Sequence, residues 1–214
     1  MASFNIKDFR EGQDMTVGAI NGIPTDVRWA EETEIFSELI SEKISDLGLV
    51  NQEAVEVLDF GCGVGRMVKP LLNNHSNLRI MGVDQAMEML TFAEDYIHSE
   101  RFKAQLLSNF MFVEKTFDFA ICIYCLQHVR RDLLRPVVEK LVSIAPRLLI
   151  VNSVSRMALP DFRNDDVNVL SLLKEYYTRF ENILTGDLIV KNMVLRKMFL
   201  EGPLVHYAFV CRND

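Results

Sequence analysis

Short apolar runs alternate with stretches whose apolar residues recur at helical spacing through the middle of the chain. Glu56–Phe60, Leu78–Val83, Phe117–Tyr124 and Arg147–Val154 are short apolar runs that read as strands, and Ala104–Leu107 is a weaker one. Between them, Arg66–Asn74 predicts a helix that accommodates Pro70 only in its first turn. Ala86–His98 sets Met87, Leu90, Ala93, Glu94 and Ile97 at helical spacing, and Asp132–Ile144 is amphipathic. Repeated strand–helix alternation predicts a parallel sheet covered by helices on both faces.

The two ends follow other patterns. Asp26–Leu47 carries Val27, Ala30, Phe36, Leu39, Ile40 and Leu47 on one helical stripe, with Asp26 as the expected N-cap and Gly48 as the stop. Ile189–Phe199 and Leu204–Cys211 flank Glu201-Gly-Pro203 and read as a hairpin. Both faces of Leu204–Cys211 are apolar, which suits a central strand. Arg156–Leu184 shows only helical spacing, at Val169, Leu170, Leu173 and Tyr177. With no internal repeat, low-complexity tract or linker, residues 1–214 are expected to form a single domain.

Composition narrows the function classes. The net charge is −7 over 214 residues, and Arg130-Arg131 is the one basic cluster, which argues against a nucleic-acid partner bound through its phosphates. The longest apolar run, Phe119–Leu126, has eight residues, and Met1–Gln13 has no signal-peptide core, so no membrane partner is expected. Cys62, Cys122, Cys125 and Cys211 do not make a disulfide framework in a chain of this length, so a reduced, cytoplasmic protein is the expectation. Cys122 lies in the predicted strand Phe117–Tyr124 and Cys125 directly follows it, and residues three apart along a strand point to opposite faces. No shared metal is expected there.

The chemistry concentrates after the first strand, in Asp59-Phe-Gly-Cys-Gly-Val-Gly65. Glycines there let a ligand approach the backbone, and the following helix offers free N–H groups. A dinucleotide fingerprint needs G-x-G-x-x-G, but its third glycine position is Arg66. A carboxylate at Asp59 would repel a pyrophosphate by on the order of 1 kcal/mol or more and would attract a cation. No phosphate-binding G-x-x-x-x-G-K-[ST] run occurs. Asp84 ends the second strand about 20 residues after the glycines, where a carboxylate accepts both hydroxyls of a ribose. S-adenosylmethionine, a nucleoside with a sulfonium, an ammonium and no phosphate, satisfies these constraints together.

Val57–Arg66, Gly82–Leu90 and Phe117–Val129 resemble the first motif, second motif and fourth-strand region of the class I S-adenosylmethionine-dependent methyltransferases, small-molecule branch. The resemblance covers about residues 28–154 and, more loosely, the terminal hairpin. It implies an α/β, doubly wound, mostly parallel seven-stranded Rossmann-like sheet with an antiparallel C-terminal hairpin. Residues 1–50 would then be a lid and helix, 51–154 the cofactor-binding core, and 155–214 the acceptor-side helices and hairpin. It further implies that Asp59, Gly61, Cys62 and Gly63 line the methionine part, that Gly65 is also a cofactor-binding position, that Asp84 holds the ribose, and that Gln85 flanks the adenine. The acid this family often carries after the third strand is missing from Leu107-Ser-Asn-Phe110; Asn109 would substitute through its side-chain carbonyl and Phe110 would pack on the base.

On the acceptor side His128, just after the fourth strand, reads either as a general base or as a histidine at a helix start. Tyr124 reads as a ligand contact or as sheet core. Arg28 and Trp29 read as lid residues toward the methionine carboxylate, or as a solvated arginine and a core tryptophan. Asn152, at the end of the fifth strand, faces the acceptor region in this topology, and His206 reads as a satisfied sheet histidine. The leading expectation is methyl transfer from S-adenosyl-L-methionine, releasing S-adenosyl-L-homocysteine, to an oxygen, nitrogen or carbon of a small-molecule acceptor, by a monomer or homodimer. A methyltransferase acting on a macromolecule and a non-catalytic cofactor-binding subunit are the alternatives.

Overall fold

The computed structural model describes residues 19–20, 23–155, 166–183 and 204–213. Two short strands, β1 (Ala19–Ile20) and β2 (Ile23–Pro24), pair antiparallel and lead into helix α1 (Thr25–Asp46). The main sheet contains β3 (Val55–Phe60), β4 (Leu78–Asp84), β5 (Phe102–Leu106), β6 (Phe119–Ile123), β7 (Arg147–Ser155), β8 (Arg179–Asn182) and β9 (Leu204–Arg212). Its order is β5-β4-β3-β6-β7-β9-β8. The five strands from β5 to β7 run parallel, whereas β9 is antiparallel to both β7 and β8. Helices α2 (Val68–Asn74), α3 (Met87–Ile97), α4 (Leu107–Phe110), α5 (Arg131–Ile144) and α6 (Asp166–Tyr176) complete the described residues.

Strand alternation divides the core into two layers. Val55 and Val57 of β3 face Phe36, Ile40 and Ile44 of α1, Leu71 of α2 and Ile97 of α3. Leu58 and Phe60 face the other way, toward Phe110, Val138 and Leu141. Because strand order reverses between β3 and β6, their C-terminal tips open a crevice, the position at which doubly wound sheets bind ligands.

Local chemistry accounts for most element ends. Gly48 adopts φ 71°, the left-handed conformation that ends a helix, as expected. Pro70 lies in the first turn of α2, where its missing N–H costs nothing. Asp26 is not a cap, because α1 already begins at Thr25. The third strand begins earlier than expected, at Phe102, and Leu107–Phe110 is a helical turn. β9 is central, as its two-sided apolar pattern predicts. Its outer neighbour over Phe209–Arg212 is β8, in a segment that reads from sequence only as helical. The predicted strand Ile189–Phe199 lies outside the described residues.

Arg101 connects two of these elements. Its guanidinium donates to the carbonyls of Leu72 (2.7 Å) and His75 (2.7 Å), at the end of α2 where helical carbonyls lack partners. Arg101→Met keeps the aliphatic stem and removes the donors. It is expected to lower unfolding free energy by about 1–3 kcal/mol in a denaturant titration, with an unchanged slope.

Candidate functional site

The first parallel strand runs directly into a turn made of three left-handed glycines, with φ 81° at Gly61, 54° at Gly63 and 76° at Gly65. A side chain would be strained at each. The turn is fastened to the neighbouring strand, because the N–H groups of Gly61 and Cys62 both donate to the Val83 carbonyl, at 2.7 and 3.0 Å. The glycines then do different work. A β-carbon on Gly61 would lie 2.4 Å from the Cys125 side chain, and one on Gly65 would lie 2.4 Å from Ile97 of α3. Gly65 therefore serves helix packing and not ligand approach, as the third glycine of nucleotide-binding turns does. Gly63 has no described atom within 4 Å of such a β-carbon, so it is the glycine with an open face.

Asp84, at the tip of β4, binds this turn to the next helix. Its carboxylate accepts from the Gly63 N–H (3.0 Å) and from the Ala86 N–H (3.0 Å) just before α3. It stays half-buried, so lone pairs remain available to a ligand. Asp59, at the adjacent tip of β3, differs sharply: it is 4% exposed, and no described residue donates a hydrogen bond to it. Burial and the nearby Asp84 raise its pKa to about 7, against the opposing pull of Arg66.

Sequence reasoning misses the partner of that arginine. Arg66 donates to Glu32 of α1 at 3.0 Å, and Glu32 is 2% exposed. The available signal is a carboxylate on the apolar stripe of α1, spaced with Phe36 and Leu39, four and seven residues before its hydrophobic neighbours. A buried acid on such a stripe requires a cation, and the residue after the last glycine supplies it.

The other sequence candidates separate. Cys62 is buried beneath the turn, with its sulfur against Gly82. Gln85 is exposed at the end of β4. Asn109 is exposed on α4, but Phe110 is 0% exposed and packs on Phe60 at 5.5 Å, so its ring is core and has no face for an adenine. Tyr124 adopts φ 53° and meets Phe36 of α1 edge-on at 6.0 Å. His128 is exposed, in the short 3-10 turn Leu126–His128, with Nε2 3.3 Å from the Gln127 amide nitrogen. Asn152 is fully buried on β7. The side chains of Arg28, Trp29 and His206 lie outside the described residues.

The cysteine pair corrects the sequence reading. β6 ends at Ile123 and Tyr124 turns the chain, so Cys125 does not continue the strand. The neighbouring Cys122 thiol and burial hold the Cys125 thiol well above its ordinary range, and its side chain packs against Gly61. Among the described residues no group of three or more His, Cys, Asp or Glu is arranged to hold a metal, and no helix is long and apolar enough to cross a membrane.

Residues 57–145, which contain this turn, match the family described as Methyltransferase domain. Solved structures share its fold across most of the chain. Magnesium protoporphyrin IX methyltransferase from Synechocystis PCC 6803, with bound S-adenosylhomocysteine, is 14% identical over 97% of this chain and 94% of its own, with a TM-score of 0.62. Phosphoethanolamine N-methyltransferase 2 from Haemonchus contortus, in complex with S-adenosyl-L-methionine, is 14% identical over 76% of this chain and 49% of its own, at 0.56. The cyclase SpnF is 16% identical over 78% and 80%, at 0.54. No curated protein matches in sequence. Within the matched segment the tips of β3 and β4 are the candidate ligand site.

The two outer glycines give a sharp contrast with the middle one. Gly61→Ala, which meets Cys125, is expected to cost about 2–4 kcal/mol of stability, whereas Gly63→Ala, which meets only its own backbone strain, should cost about 1–2 kcal/mol. Paired denaturant titrations check this order.

Proposed function

We propose that this methyltransferase domain transfers a methyl group from S-adenosyl-L-methionine to a small-molecule acceptor. The observation that carries the reading is Asp59, a carboxylate buried without a described hydrogen-bond donor, beside an open-faced glycine turn and one strand from Asp84. Such a group suits a ligand that brings positive charge and no phosphate. The donor, when bound, supplies an already activated methyl on a sulfonium, so the chain's task is to position it and exclude water.

In this reading Asp59 faces the cationic amino-acid end, and Gly61, Cys62 and Gly63 line it. Asp84 turns its remaining lone pairs to the ribose hydroxyls, while Gln85 and Asn109, both exposed beside that strand edge, lie toward the base. Tyr124, held against α1, bounds the pocket on the side of β6. Arg28 and Trp29, in the N-terminal part of α1, are the candidate cover residues. His128 is the candidate base for an acceptor that loses a proton. As oriented, its Nε2 accepts from the Gln127 amide, which leaves the proton on Nδ1, so removing an acceptor proton at Nε2 requires that bond to open. The net charge of −7 supports a small or cationic acceptor over a nucleic acid. Because the same fold serves a cyclase, donor binding and transfer need separate measurement.

Titration calorimetry with S-adenosyl-L-methionine tests the site. Wild-type chain is expected to bind, and Asp84→Ala to weaken binding by about 100-fold, since it loses both ribose bonds and the support of Gly63. Retained affinity in that variant would refute the ribose assignment. Incubation with labelled donor and pooled metabolites then reads transfer itself.

Asp59 also predicts a trade of stability for binding. An acid whose pKa is raised in the folded state stabilises most below its unfolded value and loses that contribution as pH climbs toward about 7. Asp59→Asn is therefore expected to raise the melting temperature of the ligand-free protein at pH 8 and to change it little at pH 4, while weakening donor affinity. Equal shifts at both pH values would contradict the assignment.

A further inference from the structure

Resting on the donor reading above, we propose that Glu32 and Phe36 of α1 are positioning residues for the methyl donor: they close a ring of side-chain contacts that sets the width of the crevice between the β3 and β6 tips. The two lie four residues apart, so they share one face of the helix, about 6 Å apart along its axis. Both are buried, at 2% and 1% exposure. Each reaches a different wall. Glu32 accepts from the Arg66 guanidinium at 3.0 Å, at the exit of the glycine turn that follows β3. Phe36 meets the Tyr124 ring edge-on at the tip of β6, with centroids 6.0 Å apart and planes at 79°.

The walls also meet each other. Cys125, next to Tyr124, packs its side chain over Gly61, where an added β-carbon would lie 2.4 Å from it. Gly61 and Arg66 stand at opposite ends of one turn. The path therefore runs from Glu32 through Arg66, the turn, Cys125, Tyr124 and Phe36 back to α1. Neighbouring strands anchor it: Gly61 and Cys62 donate to Val83 of β4, and the Tyr124 N–H donates to Val151 of β7 at 2.7 Å. In a closed, anchored path each contact limits the displacement the others allow, so the turn keeps one placement relative to the β6 tip. An ion pair suits the α1 end of that path. A buried arginine–carboxylate bond adds little net stability over an apolar pair, but it fixes a direction and a distance. In the donor reading the amino-acid end lies on the turn, whereas the nucleoside lies on Asp84, which β4 and the Ala86 N–H hold separately. The ring thus acts on one end of the ligand.

The test is titration calorimetry on the full chain with S-adenosyl-L-methionine and with methylthioadenosine, which keeps the nucleoside and lacks the amino-acid end. Glu32→Leu/Arg66→Met exchanges the ion pair for an apolar one and should melt within about 4 °C of wild type. It should nevertheless bind S-adenosyl-L-methionine about tenfold more weakly, with methylthioadenosine affinity within about twofold of wild type. Phe36→Leu alone should cost about threefold in S-adenosyl-L-methionine affinity, and almost nothing when added to the double variant, because the ring is already open. Glu32→Asp keeps the charge but is one methylene too short to span the bond to Arg66 without moving the turn. If the double variant does not fold, this one decides the matter, with an expected loss of about threefold confined to S-adenosyl-L-methionine. Wild-type S-adenosyl-L-methionine affinity in the deciding variant, equal losses for both probes, or a full additional loss from Phe36→Leu would overturn the inference and leave the donor site standing. Absence of S-adenosyl-L-methionine binding by wild type would overturn the functional reading and this inference with it.

Discussion

Two carboxylates sit at the tips of adjacent parallel strands, and the domain around them is organised by the problem of placing like charges there. Asp84 is tolerable because two backbone N–H groups donate to its oxygens. Asp59 has no such donors among the described residues and is nearly removed from water. It is held in place by the register of β3, which pairs it with Gly82 on one side and Ile121 on the other. A strand in the middle of a sheet cannot move one residue without reversing every side chain along it, so the fold maintains the unfavourable charge. This is the pattern expected of a binding site, where local stability is surrendered to pre-organise an interaction.

The neighbouring elements answer that constraint. Left-handed glycines carry the chain away from Asp59 without side chains, and the turn they form is bonded back to Val83 on β4. Cys125 fills the space over Gly61, reaching it because Tyr124 takes a backbone conformation that most residues avoid. Helix α1 contributes a buried acid, Glu32, to hold Arg66, so one of the charges nearest the pocket is anchored in a different layer of the molecule. Buried ion pairs of this kind are weak contributors to stability and strong contributors to geometry. The left-handed backbone of Tyr124 and the buried carboxyl of Asp59 meet at one end of the sheet, whereas the two apolar layers beneath them are continuous.

Much of this is legible in the sequence because the relevant signals are local. The strand–helix alternation, the glycine triplet after Asp59, Asp84 at the second strand tip, Pro70 in a first helical turn and Gly48 as a helix stop all follow from spacing and backbone preference within a few residues. Legibility fails where contacts span the chain. β8 has four residues, with no apolar run to mark it, and exists because β9 offers it a partner. Phe110 reads as a base-stacking residue beside the third strand, yet Phe60 claims its ring for the core. Cys122 and Cys125 read as facing apart until the strand ends one residue earlier than its apolar pattern.

By itself, then, the sequence determined the order of the elements, the backbone freedom at the turn, and the type of charge at each strand tip, since these depend on covalent geometry and on side-chain identity. The tertiary structure alone decided which of those charges are buried, which cation balances them, and which aromatic rings are left to meet a ligand. Those properties depend on desolvation and on partners remote in the chain, as Glu32 is from Arg66, and neither is encoded at any single position.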